Sequence, residues 1–252
     1  MITSPSELYR DNLKPASVNL QVFLYFSRNY YQTIMKKILF LFIFIPFSVF
    51  AKFYDGTIIY NDNSTKKGLI EIPEEGSKQE INFKTDLKAK AETVSINDVK
   101  GFEITSGKNL VATKFVAIYL AKGPLYGTKE CKVDKKKSWV RVEKEGGITL
   151  YSSYIGYRPG VRMGAASTSG WPAQTYFFLG RPDKDYAVFF WLYMESAGTS
   201  MAVNNFKVIK RLTADHFETK CPELENFIDK EDFKTNGIAR IVELYDEHCR
   251  TK

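Results

Sequence analysis

Histidine and cysteine are both scarce in this chain, with two His and three Cys among 252 residues. Only His216 and His248 are available to a Ser-His-Asp site or a histidine-based metal centre. Each follows a carboxylate, Asp215 or Glu247, but adjacent residues of a helix do not face one another and make no ready dyad. Neither histidine stands at zinc-ligand spacing from Cys131, Cys221 or Cys249. A phosphate-cradling Gly-Lys-Ser/Thr loop is absent, and so is His-Glu-x-x-His. The serine-rich stretch Ala166-Ser167-Thr168-Ser169-Gly170 has no glycine two residues before a serine, as a nucleophile elbow needs. Carboxylate pairs such as Asp183 with Asp185 and Glu74 with Glu75 lack the apolar setting that raises a pKa for acid–base work. The expectation is a protein without catalytic residues, metal or cofactor, and more a non-enzyme than an enzyme.

Other shortages set the class. Three cysteines are too few for a disulfide-dense miniprotein, and 16 Gly with 9 Pro are too few for collagen-like or low-complexity structure. Hydrophobic residues at 44% and charged residues at 26% are ordinary for a globular chain able to build a sizeable core. Only one apolar run is long enough to matter, which excludes a multi-pass membrane protein.

That run lies in residues 35–51, where Lys36 and Lys37 precede an uncharged stretch from Ile38 to Phe50 and Val49 and Ala51 stand at signal-peptidase positions. This is the layout of a secretory signal peptide. A spanning helix needs about 20 apolar residues, and this run is shorter and contains Pro46. Lys52 rather than Cys follows Ala51, which disfavours a lipoprotein. Residues 1–34 read as an over-extended start ahead of Met35, or else as a tail before an uncleaved anchor. The implied location is exported: periplasm, outer-membrane-associated or extracellular.

Setting residues 1–51 aside alters the charge. The net +7 loses five basic and two acidic residues, leaving 31 basic and 27 acidic, a net +4 over residues 52–252. That is too weak to imply nucleic acid as a partner. The run Lys135-Lys136-Lys137 reads as a solvated loop tip.

Residues 52–202 read as a β-rich body. Phe53 to Tyr60 and Gly68 to Ile72 flank Asn61-Asp62-Asn63-Ser64, residues that tolerate left-handed backbone or bond their own main chain. Further strands are expected at 80–84, 94–96, 99–105 and 110–120, followed by a loop over 130–138. Trp139 to Glu143 and Ile148 to Tyr154 flank Gly146-Gly147, the clearest hairpin in the chain. Thr175 to Leu179 and Tyr186 to Tyr193 flank another. The run Phe189-Phe190-Trp191-Leu192 does not alternate, which predicts a strand covered on both faces, or a short buried helix. Turn signals at 8–12 residue spacing indicate an antiparallel sheet or open barrel.

Residues 203–252 switch to helical period. Phe206, Ile209, Leu212 and His216 recur at steps of three and four behind Asn204 or Asn205 as N-cap, and Leu224, Phe227 and Ile228 repeat the stripe. Ile238, Ile241, Val242, Tyr245 and His248 form the strongest stripe. The fold class is therefore α+β, with an antiparallel body followed by about three helices packed on it. Cys221, before Pro222 at a helix start, and Cys249, at the end of the last stripe, pair as a disulfide if their helices are antiparallel; three free thiols packed as small apolar groups is the other reading.

Several segments in this order resemble a broad group of uncharacterised exported bacterial proteins: Gly56-Thr57-Ile58-Ile59 with Gly68-Leu69-Ile70, then Val99-Lys100-Gly101-Phe102-Glu103, then Trp139-Val140-Arg141-Val142-Glu143 through Ile148-Thr149-Leu150-Tyr151, and lastly Cys221-Pro222-Glu223-Leu224 with Ile241-Val242-Glu243-Leu244-Tyr245. The resemblance implies a cell-envelope or secreted location. It carries no activity and no functional residues.

The stretch 156–174 is rich in Gly, Ser, Ala and Pro, too long for a plain turn, and carries Tyr157, Arg158, Arg162 and Trp171 close behind Tyr154. Exposed aromatics and Arg suit contact with a glycan or an envelope protein; the alternative is an insertion whose aromatics pack back on the sheet. Three functions follow. The first is a non-enzymatic binding or scaffolding module of the envelope. The second is a small-molecule or lipid-binding β-fold with a cavity beneath the sheet. The third is a hydrolase using scattered carboxylates.

Overall fold

Alternation of apolar and polar residues puts one face of a strand against a core and the other toward solvent. Between residues 52 and 194 that alternation recurs in short runs, and it organises most of the body. The computed structural model describes residues 52–106, 111–158, 160, 162–163, 166–167, 170–194 and 206–250. The chain divides into two units, Met1–Phe50 and Ala51–Lys252, and all described residues belong to the second. The 35–51 run, read as a signal peptide, and the expected Asn204/Asn205 cap lie outside the described residues.

The strands are β1 (Phe53–Tyr60), β2 (Thr65–Glu71), β3 (Glu80–Lys84), β4 (Glu92–Ser95), β5 (Val99–Ser106), β6 (Val111–Lys122), β7 (Lys132–Lys144) and β8 (Thr149–Ile155), then the two-residue strands β9 (Arg162–Met163) and β10 (Ala166–Ser167), and β11 (Gln174–Gly180) and β12 (Tyr186–Met194). Among the described residues three α-helices follow: α1 (Phe206–Phe217), the seven-residue α2 (Lys230–Asn236) and α3 (Arg240–His248). The α+β plan of an antiparallel body with C-terminal helices is therefore observed. No helix among the described residues is long and apolar enough to cross a membrane.

Ten strands form one sheet in the order β12-β11-β8-β7-β6-β5-β1-β2-β3-β4, and β12 also pairs with β6. That pairing closes β6, β7, β8, β11 and β12 into a ring. In a ring of five strands all neighbours cannot be antiparallel, so one pair must be parallel. It is β12 with β6, through Tyr186↔Tyr119, Ala187↔Leu120 and Val188↔Ala121. The other five strands extend as an arm from β6.

Three cores result. Every ring strand contributes to one cluster: Val140 (β7), Phe178 (β11) and Ala187 (β12), with Ile118 (β6) and Tyr151 (β8) against them. This is the ring interior. On its outside, Leu150, Leu179, Val188 and Phe190 pack under Ile209, Phe217, Ile241 and Val242 of the helices. The arm curls so that Ile58, Ile70, Phe83 and Phe102 enclose Trp139 on the outer face of β7, with Phe102 stacked on Phe115 at 4.8 Å. Burying a Phe or Ile side chain contributes about 1.5–3 kcal/mol, so each cluster is a substantial anchor.

Local choices agree with this plan. Asn63 takes φ 67° in the β1–β2 turn, the left-handed backbone that Asn tolerates. Gly146 and Gly147 connect β7 to β8 where α3 comes close. A Cβ on Gly147 would stand 2.6 Å from Asp246 Oδ1 and 3.0 Å from the Tyr245 ring, and the Gly147 N–H donates to Asp246 Oδ1 at 2.6 Å. Asp229 caps α2, accepting from the N–H groups of Glu231 and Asp232.

Three expectations are corrected, and the Phe189–Leu192 run, read as a strand or a short helix, is a strand. Residues 132–138 are not a loop: β7 begins at Lys132, and the Lys135–Lys137 run lies on a strand whose residues 132–136 are solvent-exposed. Alternation fails there because little of that segment faces a core. In β12 the register shifts at Phe178↔Phe189 and Phe177↔Trp191, a bulge at Phe190. Phe190 and Trp191 consequently both face the helix side, while Phe189 meets the Phe178 ring and stays 36% exposed. The Leu224–Phe227 stripe is a 3-10 turn and not an α-helix. Cys221 stands after α1, in a turn closed by Leu224 N–H to Cys221 C=O at 3.0 Å, and not at a helix start.

The disulfide does form. Cys221 and Cys249 are bonded with Cα atoms 5.7 Å apart, tying the turn after α1 to the end of α3. Cys131 is free.

Candidate functional site

The neck of the 156–174 excursion is held by main-chain bonds. Arg158 N–H donates to Trp171 C=O at 3.0 Å, and Trp171 N–H to Arg158 C=O at 2.8 Å. β9 and β10 pair beyond this neck. The neck and the end of β8 present three large rings to solvent: Tyr154 at 52%, Tyr157 at 64% and Trp171 at 68% exposure. Tyr157 lies against Gly170, where a Cβ would stand 2.5 Å from its hydroxyl. Arg158 ion-pairs with Glu75 of the β2–β3 connection. Of the four residues singled out in the sequence, Tyr157, Arg158 and Trp171 meet at this neck. Arg162 pairs its main chain with Ser167 in β9–β10, and its side chain lies outside the described residues.

Beside the neck is a pocket of about 230 Å³, lined among others by Pro73, Phe115, Trp139, Arg141, Ser152 and Tyr154. The β2–β3 connection forms one wall, because Gly76 C=O accepts the Trp139 N–H at 2.7 Å. Near its floor Ser152, 4% exposed, donates to Glu143, which also accepts from Arg141 Nε at 2.6 Å. Nothing in the sequence marked this trio. Arg141, Glu143 and Ser152 occupy alternate strand positions that read as solvent-facing; in the fold Ser152 is buried while Arg141 stays exposed.

A second cleft, of about 480 Å³, is lined by Val116, Ala117, Ile118, Tyr119, Lys137, Tyr151 and Asp185. Burial holds the Tyr151 hydroxyl above its ordinary pKa, so it stays a neutral donor.

The histidines and carboxylates have other duties. His216 is 5% exposed, its Nδ1 accepts the Leu125 N–H at 3.2 Å, and burial depresses its pKa to about 4. His248 stacks on Phe227 at 3.7 Å. Asp183 is gripped by Arg181 through bonds of 2.9 and 2.6 Å, which hold its carboxyl below the ordinary value. Glu75 pairs with Arg158 and Glu74 with Lys78. Among the described residues no group of three His, Cys, Asp or Glu converges as a metal site.

No family model, no curated protein and no solved structure matches this chain.

Proposed function

We propose that this protein is an exported, non-enzymatic binding module of the cell envelope, and that it contacts a glycan or protein partner through the neck of the 156–174 excursion. The observation that carries this reading is the shared exposure of Tyr154, Tyr157 and Trp171 around Arg158. Flat rings with a polar edge, set on a paired neck, offer contact area at small entropic cost, and Tyr, Trp and Arg dominate the energetics of interfaces. The disulfide suits an oxidising compartment, and the 35–51 pattern suits export.

The test is capture of envelope extract on the immobilised protein and on the double variant Tyr157→Ala/Trp171→Ala. Wild type retains a partner, and loss of two anchors weakens retention by about 30-fold or more. Protease treatment of the extract removes a protein partner, and glycosidase treatment a glycan. Undiminished capture by the double variant sinks the reading.

A further inference from the structure

Strand β6 changes neighbours along one edge. From Val111 to Val116 that edge pairs with β5, ending at Gly101↔Val116. From Tyr119 to Ala121 the same edge pairs with β12. The opposite edge belongs to β7 from Phe115↔Arg141 to Lys122↔Lys132. Ala117 and Ile118 thus lie where β5 has departed and β12 has not yet joined. The arm and the ring part at this fork, and the 480 Å³ cleft sits in the gap. Its volume is within the ~300–1,000 Å³ usual for small-molecule sites.

The lining is apolar at Val116 and Ile118 and aromatic at Tyr119 and Tyr151, with one cation and one carboxylate-bearing residue, Lys137 and Asp185. The Lys137 ammonium stands 5.9 Å from the Tyr119 ring centre and has no carboxylate partner among the described residues. Lys137 also ends a basic ribbon. Residues 122–137 hold six lysines against Glu130 and Asp134, so this hairpin accounts for the whole +4 excess of residues 52–252, and the remainder is balanced. Of these six lysines Lys137 is the one that lines the cleft. Asp185 gives its main-chain carbonyl to the Tyr119 N–H at 3.4 Å, and its carboxylate opposes a second negative charge.

We infer that the fork in β6 binds a small amphipathic monoanion, with its apolar body against Val116, Ile118 and the two tyrosine rings and its anionic group at Lys137. The ligand is a carboxylate or similar single-charge head on a short hydrocarbon or aromatic body. A neutral lipid leaves Lys137 without a counter-charge, and a dianion meets Asp185. This site is separate from the aromatic neck and stands or falls independently of it.

The test is calorimetric titration of the full chain with sodium octanoate and, as its uncharged match, 1-octanol. Octanoate binds more tightly than octanol. Lys137→Met weakens octanoate by about tenfold or more, the worth of one hydrogen bond to a charged group, and leaves octanol unchanged. Lys136→Met removes the same charge from an exposed position outside the cleft and leaves octanoate affinity within about twofold. The Tyr157→Ala/Trp171→Ala variant still binds octanoate, which separates this site from the partner surface. The inference is overturned by absence of octanoate binding, by octanol matching octanoate, or by equal losses in the two lysine variants.

Discussion

Acidification should destabilise this protein through one buried imidazole. His216 sits at the end of α1 with its ring edge toward Phe190 at 5.3 Å. Two main-chain donors from the 123–128 segment meet this residue. Leu125 N–H donates to Nδ1 at 3.2 Å, and Tyr126 N–H to the His216 carbonyl at 2.7 Å. Because Nδ1 accepts, the ring proton is on Nε2, and protonating Nδ1 would set two donors against each other. Burial disfavours the imidazolium, the nearby Asp215 carboxylate only partly offsets that, and the pKa falls from 6.5 to about 4. Between those values the unfolded chain binds a proton that the folded chain refuses. Stability therefore rises with pH through this window. The contribution is complete above about pH 6.5 and is lost as pH falls toward 4, and the fall from 6.5 to about 4 corresponds to about 3 kcal/mol.

The assay is urea unfolding from pH 7.5 to 4, on wild type and on His216→Gln, whose amide oxygen can accept the Leu125 N–H without titrating. Carboxylates are common to both proteins, so their difference isolates the imidazole. The wild type should lose about 3 kcal/mol more than the variant over this range. Parallel pH dependences, or an imidazole titrating at or above 6.5 by NMR in the folded protein, would refute the reasoning.

Two further perturbations read the packing. The Cys221–Cys249 bridge closes a loop of 28 residues, so Cys249→Ser should cost about 3–4 kcal/mol in the chain-entropy estimate. A melting temperature unchanged by both the substitution and reductant would contradict this. Gly147→Val forces a side chain into Asp246 and Tyr245 of α3 and should lower stability by about 1–3 kcal/mol. Wild-type stability in chemical denaturation would show that α3 does not hold this approach.

Much of the fold was legible because it rests on local periodicity. The β1–β2 hairpin follows from Asn61 to Ser64, and the switch from period two to period 3.6 after residue 205 announces the helices. The departures from that periodicity have separate causes. Lys132 to Lys136 form a strand segment with exposed side chains, paired to β6 through Lys132 and Val133 before the register shifts, and no hydrophobic pattern marks it. Phe190 is a bulged residue, and a bulge breaks alternation without any residue type that betrays it. Of the proposed contact residues, Tyr157, Arg158 and Trp171 were visible as aromatics and arginine in a stretch of small residues. That Arg158 and Trp171 pair across twelve intervening residues was not.

The scarcity of histidine, the single apolar run and the alternation of residues 52–194 determined the class of the protein: a β-rich body with a helical C-terminus and no recognisable catalytic motif. Such properties are local, since propensity, turn chemistry and burial of one face act over a few residues. The tertiary structure alone decided that β12 returns to β6 in parallel and closes the ring. It also decided that β6 divides one edge between two strands, β5 of the arm and β12 of the ring, and that Gly146-Gly147 serves the approach of α3 as well as the turn. Those outcomes depend on which distant main-chain edges find each other, and the amide and carbonyl groups that pair them are the same at almost every residue.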